Sequence, residues 1–168
     1  MNINELKGIF FDFDMTLLQH PENYLMLRDE DDFLYRSYIK EYDYDGSIVT
    51  ESMRQFVTSC DAVKTAELFM FSAASSNYVL DNKQRVVLNR YPGVHWRKFL
   101  SCYSPVAKAD TLAVFARHRN WKPEEICLID DAEEVRIHAE QRGFKTIDAT
   151  KINAGKCYVA MDGTVVLL

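Results

Sequence analysis

Two aspartates stand one residue apart at the end of a strongly apolar segment. Asp12 and Asp14 close the run "GIFFDFD", residues 8–14. Alternate side chains of a strand point to the same side, so both carboxylates would face one space. In an α/β sheet, the carboxyl ends of the strands open into the crevice where ligands bind. Aspartates also cap turns and helices, and this motif alone leaves that structural interpretation open.

A second acidic pair follows another apolar segment. Asp130 and Asp131 come directly after Ile129 in "ICLIDDAEE". If the two strands are neighbours, four carboxylates meet at one edge of the sheet, where they cost stability unless a cation compensates them. Carboxylate oxygens suit Mg²⁺, and a magnesium ion held this way commonly serves phosphate oxygens. The ligands predicted for this magnesium site are Asp12, Asp14, Asp130 and Asp131.

Two further positions offer groups that bind phosphate. Ser72, in "FMFSAAS", supplies a hydroxyl and a neighbouring backbone N–H, and Ser75 supplies the same groups three residues later. Lys108 stands at the start of a helical pattern, where the N-terminal amides favour anions. Each residue alone is weak evidence for a phosphate site, because serines at strand ends commonly form turns and lysines before helices are commonly solvated.

The chain alternates between short apolar segments and helical patterns, as in a parallel sheet covered by helices on both faces. The predicted strands are 8–13, 67–73, 99–103, 125–130 and 144–149. The predicted helices are 52–60, 79–89, 108–119 and 133–142. The tail at 156–168 predicts a β-hairpin that extends or covers the sheet edge. We therefore expect an α/β protein with a parallel sheet between layers of helices.

Composition narrows the classes of protein. The 168 residues, 48% of them hydrophobic, fit a single domain, and the net charge of -5 argues against a nucleic-acid partner. No apolar segment approaches the roughly 18 residues of a membrane span, and no signal-peptide pattern begins the chain. These features predict a cytoplasmic protein without a membrane segment. The four cysteines lack the spacing of a zinc site, which predicts buried free thiols.

The connection at about 19–47 is a small acidic, tyrosine-rich insert. Between residues 22 and 51, nine acidic residues stand against three basic ones, and five of the nine tyrosines fall in this stretch. Aromatic residues at helical spacing between 35 and 42 predict a short helix that begins near Asp31 or Asp32. This helix either packs on the body of the domain or covers the substrate, and its charge would repel phosphate-rich polymers.

The order of these motifs resembles that of the haloacid dehalogenase superfamily of phosphohydrolases. An Asp-x-Asp-x-Thr motif is followed by a serine after a strand, a lysine, and two aspartates after another strand, over roughly residues 7–149. "FFDFDMTLL" is the most specific of the four motifs. The resemblance implies a Rossmann-like three-layer sandwich with a mostly parallel central sheet and the first strand at its centre. It also implies a magnesium-dependent phosphatase. The insert is too short for a full cap domain, which leaves the site open.

The resemblance also implies a role for each residue of the first motif. Asp12 would be the nucleophile that forms an aspartyl-phosphate. Asp14 would protonate the leaving oxygen and then activate water, with its backbone carbonyl on Mg²⁺. Thr16 would steady this loop. Relatives that cleave carbon–halogen bonds lack an acid at the position of Asp14, so its presence favours hydrolysis of a phosphate ester.

The later motifs would complete the site. Ser72 or Ser75, together with Lys108, would hold the transferring phosphoryl group. Asp131, with Asp130, would complete the magnesium site. The substrate would be a phosphorylated small molecule or a phosphoprotein, and the oligomeric state is not given by the sequence.

One position departs from the family pattern, and two alternatives compete with a phosphatase. Met15 stands where the family commonly has glycine. A catalytically inactive phosphate-binding or regulatory module on the same fold is one alternative, although it has no need of an acid–base residue. A receiver domain of phosphorelay signalling is the other. In such domains the phosphorylated aspartate follows the third strand, whereas the third predicted strand here ends in "SCYSP" with no acid.

Overall fold

The computed structural model describes residues 1–21, 44, 46–74 and 76–168, and its centre is a five-stranded parallel sheet. The strands of this sheet are β1 (Gly8–Phe11), β2 (Glu67–Ala73), β3 (Trp96–Cys102), β4 (Ile126–Asp130) and β5 (Lys145–Asp148). The helices are α1 (Glu51–Val63), α2 (Asn77–Arg90), α3 (Lys108–Arg119), α4 (Glu133–Gln141) and α5 (Ala149–Asn153). Short 3₁₀ helices cover Ile3–Glu5, Pro105–Ala107 and Pro123–Glu125.

The strand order β3-β2-β1-β4-β5 puts β1 at the centre, as predicted. All four residues of β1 are buried, because helices cover both faces of the sheet. Ile9 and Phe11 pack into one core cluster with α1, α2 and α5, whereas Phe10 packs into the other with α3 and α4. The predicted α/β three-layer sandwich with a parallel sheet is confirmed.

The pairing of β1 with β4 brings the two acidic pairs together. Phe11 lies opposite Ile129, so both strands end at the same level. The backbone N–H of Asp12 donates to the carbonyl of Ile129 at 2.9 Å, which extends the ladder by one bond. Asp130 is the last residue of β4, and both acidic motifs therefore begin at one edge of the sheet.

Helix α1 ends three residues later than predicted, and α5 was not predicted from the sequence. Strand β3 and the C-terminal hairpin also differ from the prediction. Strand β3 begins at Trp96, three residues earlier than predicted, because the Trp96 ring packs edge-on against Phe11 while Arg97 and Lys98 face solvent at the sheet edge. The C-terminal hairpin exists but does not extend the central sheet. Its strands β6 (Cys157–Val159) and β7 (Val165–Leu167) form a separate antiparallel sheet, beside which the backbone of Val165 bonds that of Met1.

Other predictions have simpler outcomes. The cysteines are free and buried, as expected; they are Cys60, Cys102, Cys127 and Cys157. The helix predicted near Asp31 or Asp32 lies outside the described residues. Within the part of the chain that the structure describes, no helix has the length and apolarity to cross a bilayer.

Candidate active site

Asp12 lies in a buried charge cluster between β1, β4 and α3. The ammonium group of Lys108, the first residue of α3, lies 2.7 Å from a carboxylate oxygen of Asp12 and 2.6 Å from one of Asp130. All three side chains are at least nine-tenths buried. The short helix Pro105–Ala107 leads directly into α3 and so delivers this lysine to the ends of the two strands. One lysine therefore serves two carboxylates.

This shared cation sets the protonation of the cluster. Burial, reinforced by the charges of Asp130 and Asp14, raises the pKa of Asp12 to about 7, although Lys108 opposes the change. Burial alone would lower the pKa of Lys108, but Asp12 and Asp130 raise it above its ordinary value. Lys108 is therefore a fixed positive charge, and Asp12 is a carboxylate that lacks sufficient compensation.

Three carboxylates of this cluster meet the chemical requirements of a divalent ion. Asp12, Asp130 and Asp131 each offer an oxygen, and these oxygens lie within 4.8 Å of one another. The backbone that carries the second pair is fixed, because the Arg136 guanidinium donates to the carbonyls of Asp130 and Asp131 at 2.8 and 2.7 Å. A hard oxygen donor set of this kind fits Mg²⁺. The side chain of Asp14, which the sequence placed in the metal set, is outside this group of three.

Asp14 belongs to a second cluster, which contains Lys83 from α2. The Lys83 ammonium donates to a carboxylate oxygen of Asp14, to the Ser72 hydroxyl at 2.7 Å and to the Ala73 carbonyl at 3.2 Å. It also lies 4.9 Å from the centre of the Phe13 ring. Ser72 is completely buried, and its hydroxyl donates to the Ala73 carbonyl at 3.2 Å. The predicted phosphate-binding serine thus contacts a lysine that sequence analysis did not identify.

The other oxygen of Asp14 is bonded to a histidine at the start of the insert. His20 Nε2 lies 2.9 Å from Asp14, and His20 Nδ1 lies 2.7 Å from the Ser47 hydroxyl. Backbone bonds between Gln19 and Ile48 at 2.8 and 3.0 Å join the two ends of the insert beside this pair. The insert therefore closes next to the predicted acid–base residue.

These neighbours give Asp14 the opposite electrostatics to Asp12. Burial alone would raise the pKa of Asp14, but Lys83 and His20 together hold it well below its ordinary value. In this arrangement Asp14 is a carboxylate at neutral pH.

The loop around Met15 places the remaining predicted residues. Thr16 is completely buried, and its hydroxyl has no hydrogen-bond partner among the described residues, so no side-chain bond supports the predicted loop-steadying role. The loop is instead bonded through its backbone, because the Asn153 amide donates to the carbonyl of Thr16 at 3.1 Å. Met15 has a φ of 56°, a left-handed conformation that favours glycine. Ser75, the alternative phosphate binder, lies outside the described residues.

Sequence reasoning missed Lys83 and gave His20 an ordinary structural role. A signal for the lysine was present, because Val79, Lys83, Val86 and Val87 follow the helical spacing of one buried face. A lysine within an apolar stripe requires a partner in the interior. No comparable signal marked His20, because its contact with Ser47 spans 27 residues of the insert.

The architecture is similar to that of solved hydrolase structures. A haloacid dehalogenase-like hydrolase from Streptococcus pneumoniae is 16% identical, with a TM-score of 0.62 over 86% of this chain and 84% of that one. A haloacid dehalogenase family enzyme from Bacteroides thetaiotaomicron, solved as a magnesium complex, is 12% identical, with a TM-score of 0.52 over 86% and 93%. A phosphoserine phosphatase in its apo form is 12% identical, with a TM-score of 0.54 over 82% of each chain.

No protein-family model and no curated protein matches the sequence. The likeness at the level of structure is nevertheless consistent across these hydrolases. The chain has the haloacid dehalogenase-like fold, as its motifs predicted.

Proposed function

We propose that the protein is a magnesium-dependent phosphatase that hydrolyses a phosphate monoester through an aspartyl-phosphate on Asp12. The observation that carries this proposal is the buried cluster in which Asp12 shares Lys108 with Asp130 beside a third carboxylate, Asp131. A nucleophilic carboxylate and a phosphate dianion repel each other, and a site for this reaction needs positive charge at the point where they meet. Lys108 supplies one such charge.

The charges of the first cluster also support a metal ion. Among the described residues, Asp12, Asp130 and Asp131 bring their carboxylates together, and Lys108 bonds two of them, Asp12 and Asp130. A divalent cation would add positive charge where these carboxylates meet. Asp12, Asp130 and Asp131 would hold Mg²⁺, with the Asp14 carbonyl as the further ligand that the motif implies, and the ion would supply positive charge for the phosphoryl oxygens.

In the first step, a carboxylate oxygen of Asp12 attacks the phosphorus atom. The bond between phosphorus and the leaving oxygen breaks, and its electron pair stays on that oxygen, which takes a proton from Asp14. General acid assistance of this kind contributes typically about 10²–10⁴-fold to the rate. Lys108, bonded to Asp12, neutralises the charge that approaches the nucleophile.

In the second step, water attacks the phosphorus of the aspartyl-phosphate. Asp14 takes a proton from that water, the bond between Asp12 and phosphorus breaks, and inorganic phosphate leaves. The low pKa of Asp14 in the structure fits this second step, in which the residue starts as a carboxylate. The first step requires the same residue to carry a proton when the substrate is bound.

The substrate we propose is a phosphorylated small molecule or a phosphoprotein. Two structures similar to this chain fit the proposal, since one is a magnesium complex and the other is a phosphoserine phosphatase. The acidic insert at about 19–47 disfavours a polyanionic substrate such as nucleic acid. We also propose that the whole chain is one domain with an open site, because the insert is too short to form a full cap.

Hydrolysis of 4-nitrophenyl phosphate, with Mg²⁺ and with a chelator, tests the proposal. We expect turnover that requires the metal and that Asp12→Asn abolishes while the fold is retained. Asp61→Asn is the matched control, because Asp61 lies at the end of α1 and bonds His95 outside the cluster. A wild-type protein that is inert over a broad panel of phosphate esters would favour the inactive phosphate-binding module instead. An Asp12→Asn variant that keeps its activity would overturn the aspartyl-phosphate on Asp12.

A further inference from the structure

Lys83 is a buried charge that none of the sequence motifs explains. Its side chain is about 3% exposed, and it lies on the face of α2 that carries Val79, Val86 and Val87 into the core. An apolar residue would occupy this face without the cost of removing an ammonium group from water. The position of the lysine therefore calls for a function other than core packing.

The hydrogen bonds of Lys83 leave its ammonium group no further proton to donate. An ammonium group has three N–H donors, and Lys83 directs them to three acceptors: an oxygen of Asp14, the Ser72 hydroxyl and the Ala73 carbonyl. Two of these acceptors belong to the end of β2, which is part of the rigid sheet. The third belongs to the loop after β1. Lys83 thus fixes the Asp14 carboxylate relative to the sheet, while His20 bonds the other oxygen of the same carboxylate.

We propose that Lys83 is the positioning residue for Asp14, and that Ser72 acts in this chain chiefly by orienting Lys83. The proposal rests on the phosphatase function proposed above, since it assigns Asp14 the role of acid and base. Proton transfer to a leaving oxygen needs the donor within hydrogen-bond reach and correctly aligned. An Asp14 side chain released from Lys83 would lose that alignment, although Asp12, Lys108 and the metal ligands would stay in place.

The dependence of the rate on the leaving group separates this role from a structural one. A phenol with a low pKa leaves without help, whereas a phenol with a high pKa needs the proton from Asp14. The value of kcat/KM reports the steps up to phosphoryl transfer, in which the leaving group departs. We expect Lys83→Met to lower kcat/KM about 100-fold for phenyl phosphate and less than about 10-fold for 4-nitrophenyl phosphate. Because both substrates are measured on one preparation, a partly unfolded sample does not alter the ratio.

Four further variants complete the test. Lys98→Met, an exposed change on β3, should leave both values within about twofold of the wild type. Asp14→Asn, like Lys83→Met, should lower kcat/KM more for phenyl phosphate than for 4-nitrophenyl phosphate. The double variant, Lys83→Met with Asp14→Asn, should have a kcat/KM for phenyl phosphate less than about threefold below that of Asp14→Asn alone. The two losses do not add, because Lys83 acts through Asp14. Lys83→Gln, which keeps two N–H donors, should fall between the wild type and Lys83→Met.

Each outcome decides the proposal. Equal losses for the two substrates in Lys83→Met, a smaller loss for phenyl phosphate, or fully multiplicative losses in the double variant would overturn it. Failure of both Lys83→Met and Lys83→Gln to fold would assign the lysine a structural role and would also overturn it. An inert wild-type protein would instead remove the phosphatase function itself, so the two failures are distinguishable.

Discussion

Two groups of side chains lie at the end of β1, and each contains a lysine–aspartate ion pair, but their electrostatics are opposite. On one side, Lys108 is shared by Asp12 and Asp130, and the pKa of Asp12 rises to about 7. On the other side, Lys83 and His20 both bond Asp14, and the pKa of Asp14 falls well below its ordinary value. Burial by itself raises the pKa of both aspartates, and the difference comes from their neighbours: Asp12 shares its lysine with Asp130, whereas Asp14 has both Lys83 and His20.

This difference explains why we expect a metal ion on only one side. We call Lys108, Asp12, Asp130 and Asp131 the nucleophile group. This group has three carboxylates and one lysine, and it offers three carboxylate oxygens to a cation. The acid group, made of Asp14, Lys83 and His20, has its compensating charge built into the protein. Removal of a lysine should therefore have different consequences on the two sides.

The largest effect that we expect is the loss of stability in Lys108→Met. This change leaves two buried carboxylates without their cation, and breaking a buried ion pair in this way typically costs about 3–5 kcal/mol of unfolding free energy. Met keeps most of the side-chain volume, so packing changes little. Urea unfolding in the absence of divalent ions measures the loss.

Lys83→Met is the matched variant from the acid group. It leaves one carboxylate, that of Asp14, without its lysine. Because this carboxylate keeps its bond to His20, the expected loss of unfolding free energy is smaller. Addition of Mg²⁺ should stabilise Lys83→Met by as much as it stabilises the wild type, and it should stabilise Lys108→Met by more, because only in the nucleophile group does the cation also replace the charge of the lost lysine. Equal losses, or equal rescue by Mg²⁺, would contradict the division into two groups.

The second effect is the stabilisation of the wild-type protein by Mg²⁺. Binding to the folded state alone adds about 2.7 kcal/mol when the free ion is at a hundred times its dissociation constant. Thermal unfolding at increasing Mg²⁺ concentrations measures this gain. Asp131→Asn should abolish most of it, because that side chain belongs to the nucleophile group.

Asp14→Asn supplies the comparison for this titration. The Asp14 side chain is not among the three clustered carboxylates, and the substitution keeps the backbone carbonyl. We therefore expect the shift in Tm with Mg²⁺ to be close to that of the wild type. A loss of the shift in Asp14→Asn as large as in Asp131→Asn would place the Asp14 side chain in the metal site and would contradict the assignment.

The nucleophile group was predictable from the sequence because its members lie at the ends of regular elements. Asp12 comes directly after β1, and Asp130, with Asp131 next to it, ends β4. Lys108 opens a helix whose period is clear. Parallel neighbouring strands end at one edge, so the meeting of these residues follows from the strand order. The residue types alone then indicate a cation site.

The acid group was only partly predictable, because its partners depend on packing. Asp14 was identified from its motif, but its contact with Lys83 depends on how α2 turns its buried face toward β2. The contact with His20 depends on how the insert closes onto Ser47. Sequence spacing carries no record of either arrangement. A lysine in an apolar helical stripe was the one available signal, and it predicts an interior partner without naming it.

The smallest effect that we expect comes from Met15, which follows Asp14 on the loop after β1. Its φ of 56° is a left-handed conformation that costs a residue with a Cβ roughly 1–2 kcal/mol, whereas glycine adopts it freely. Glycine also loses more chain entropy on folding, by roughly 0.5–1 kcal/mol. We therefore expect Met15→Gly to stabilise the protein by up to about 1 kcal/mol, with the two lysine clusters unchanged.

Lys64→Gly is the control for Met15→Gly, because Lys64 has nearly the same φ, 57°, at the end of α1 and away from the clusters. Similar gains in the two variants would mean that backbone strain alone explains the effect at Met15. A loss of stability in Met15→Gly, with a gain in Lys64→Gly, would mean instead that the half-buried Met15 side chain holds the loop in place. The loop would then be a structural link between the nucleophile and acid groups, and changes at Met15 should alter both the Mg²⁺ titration and the leaving-group dependence.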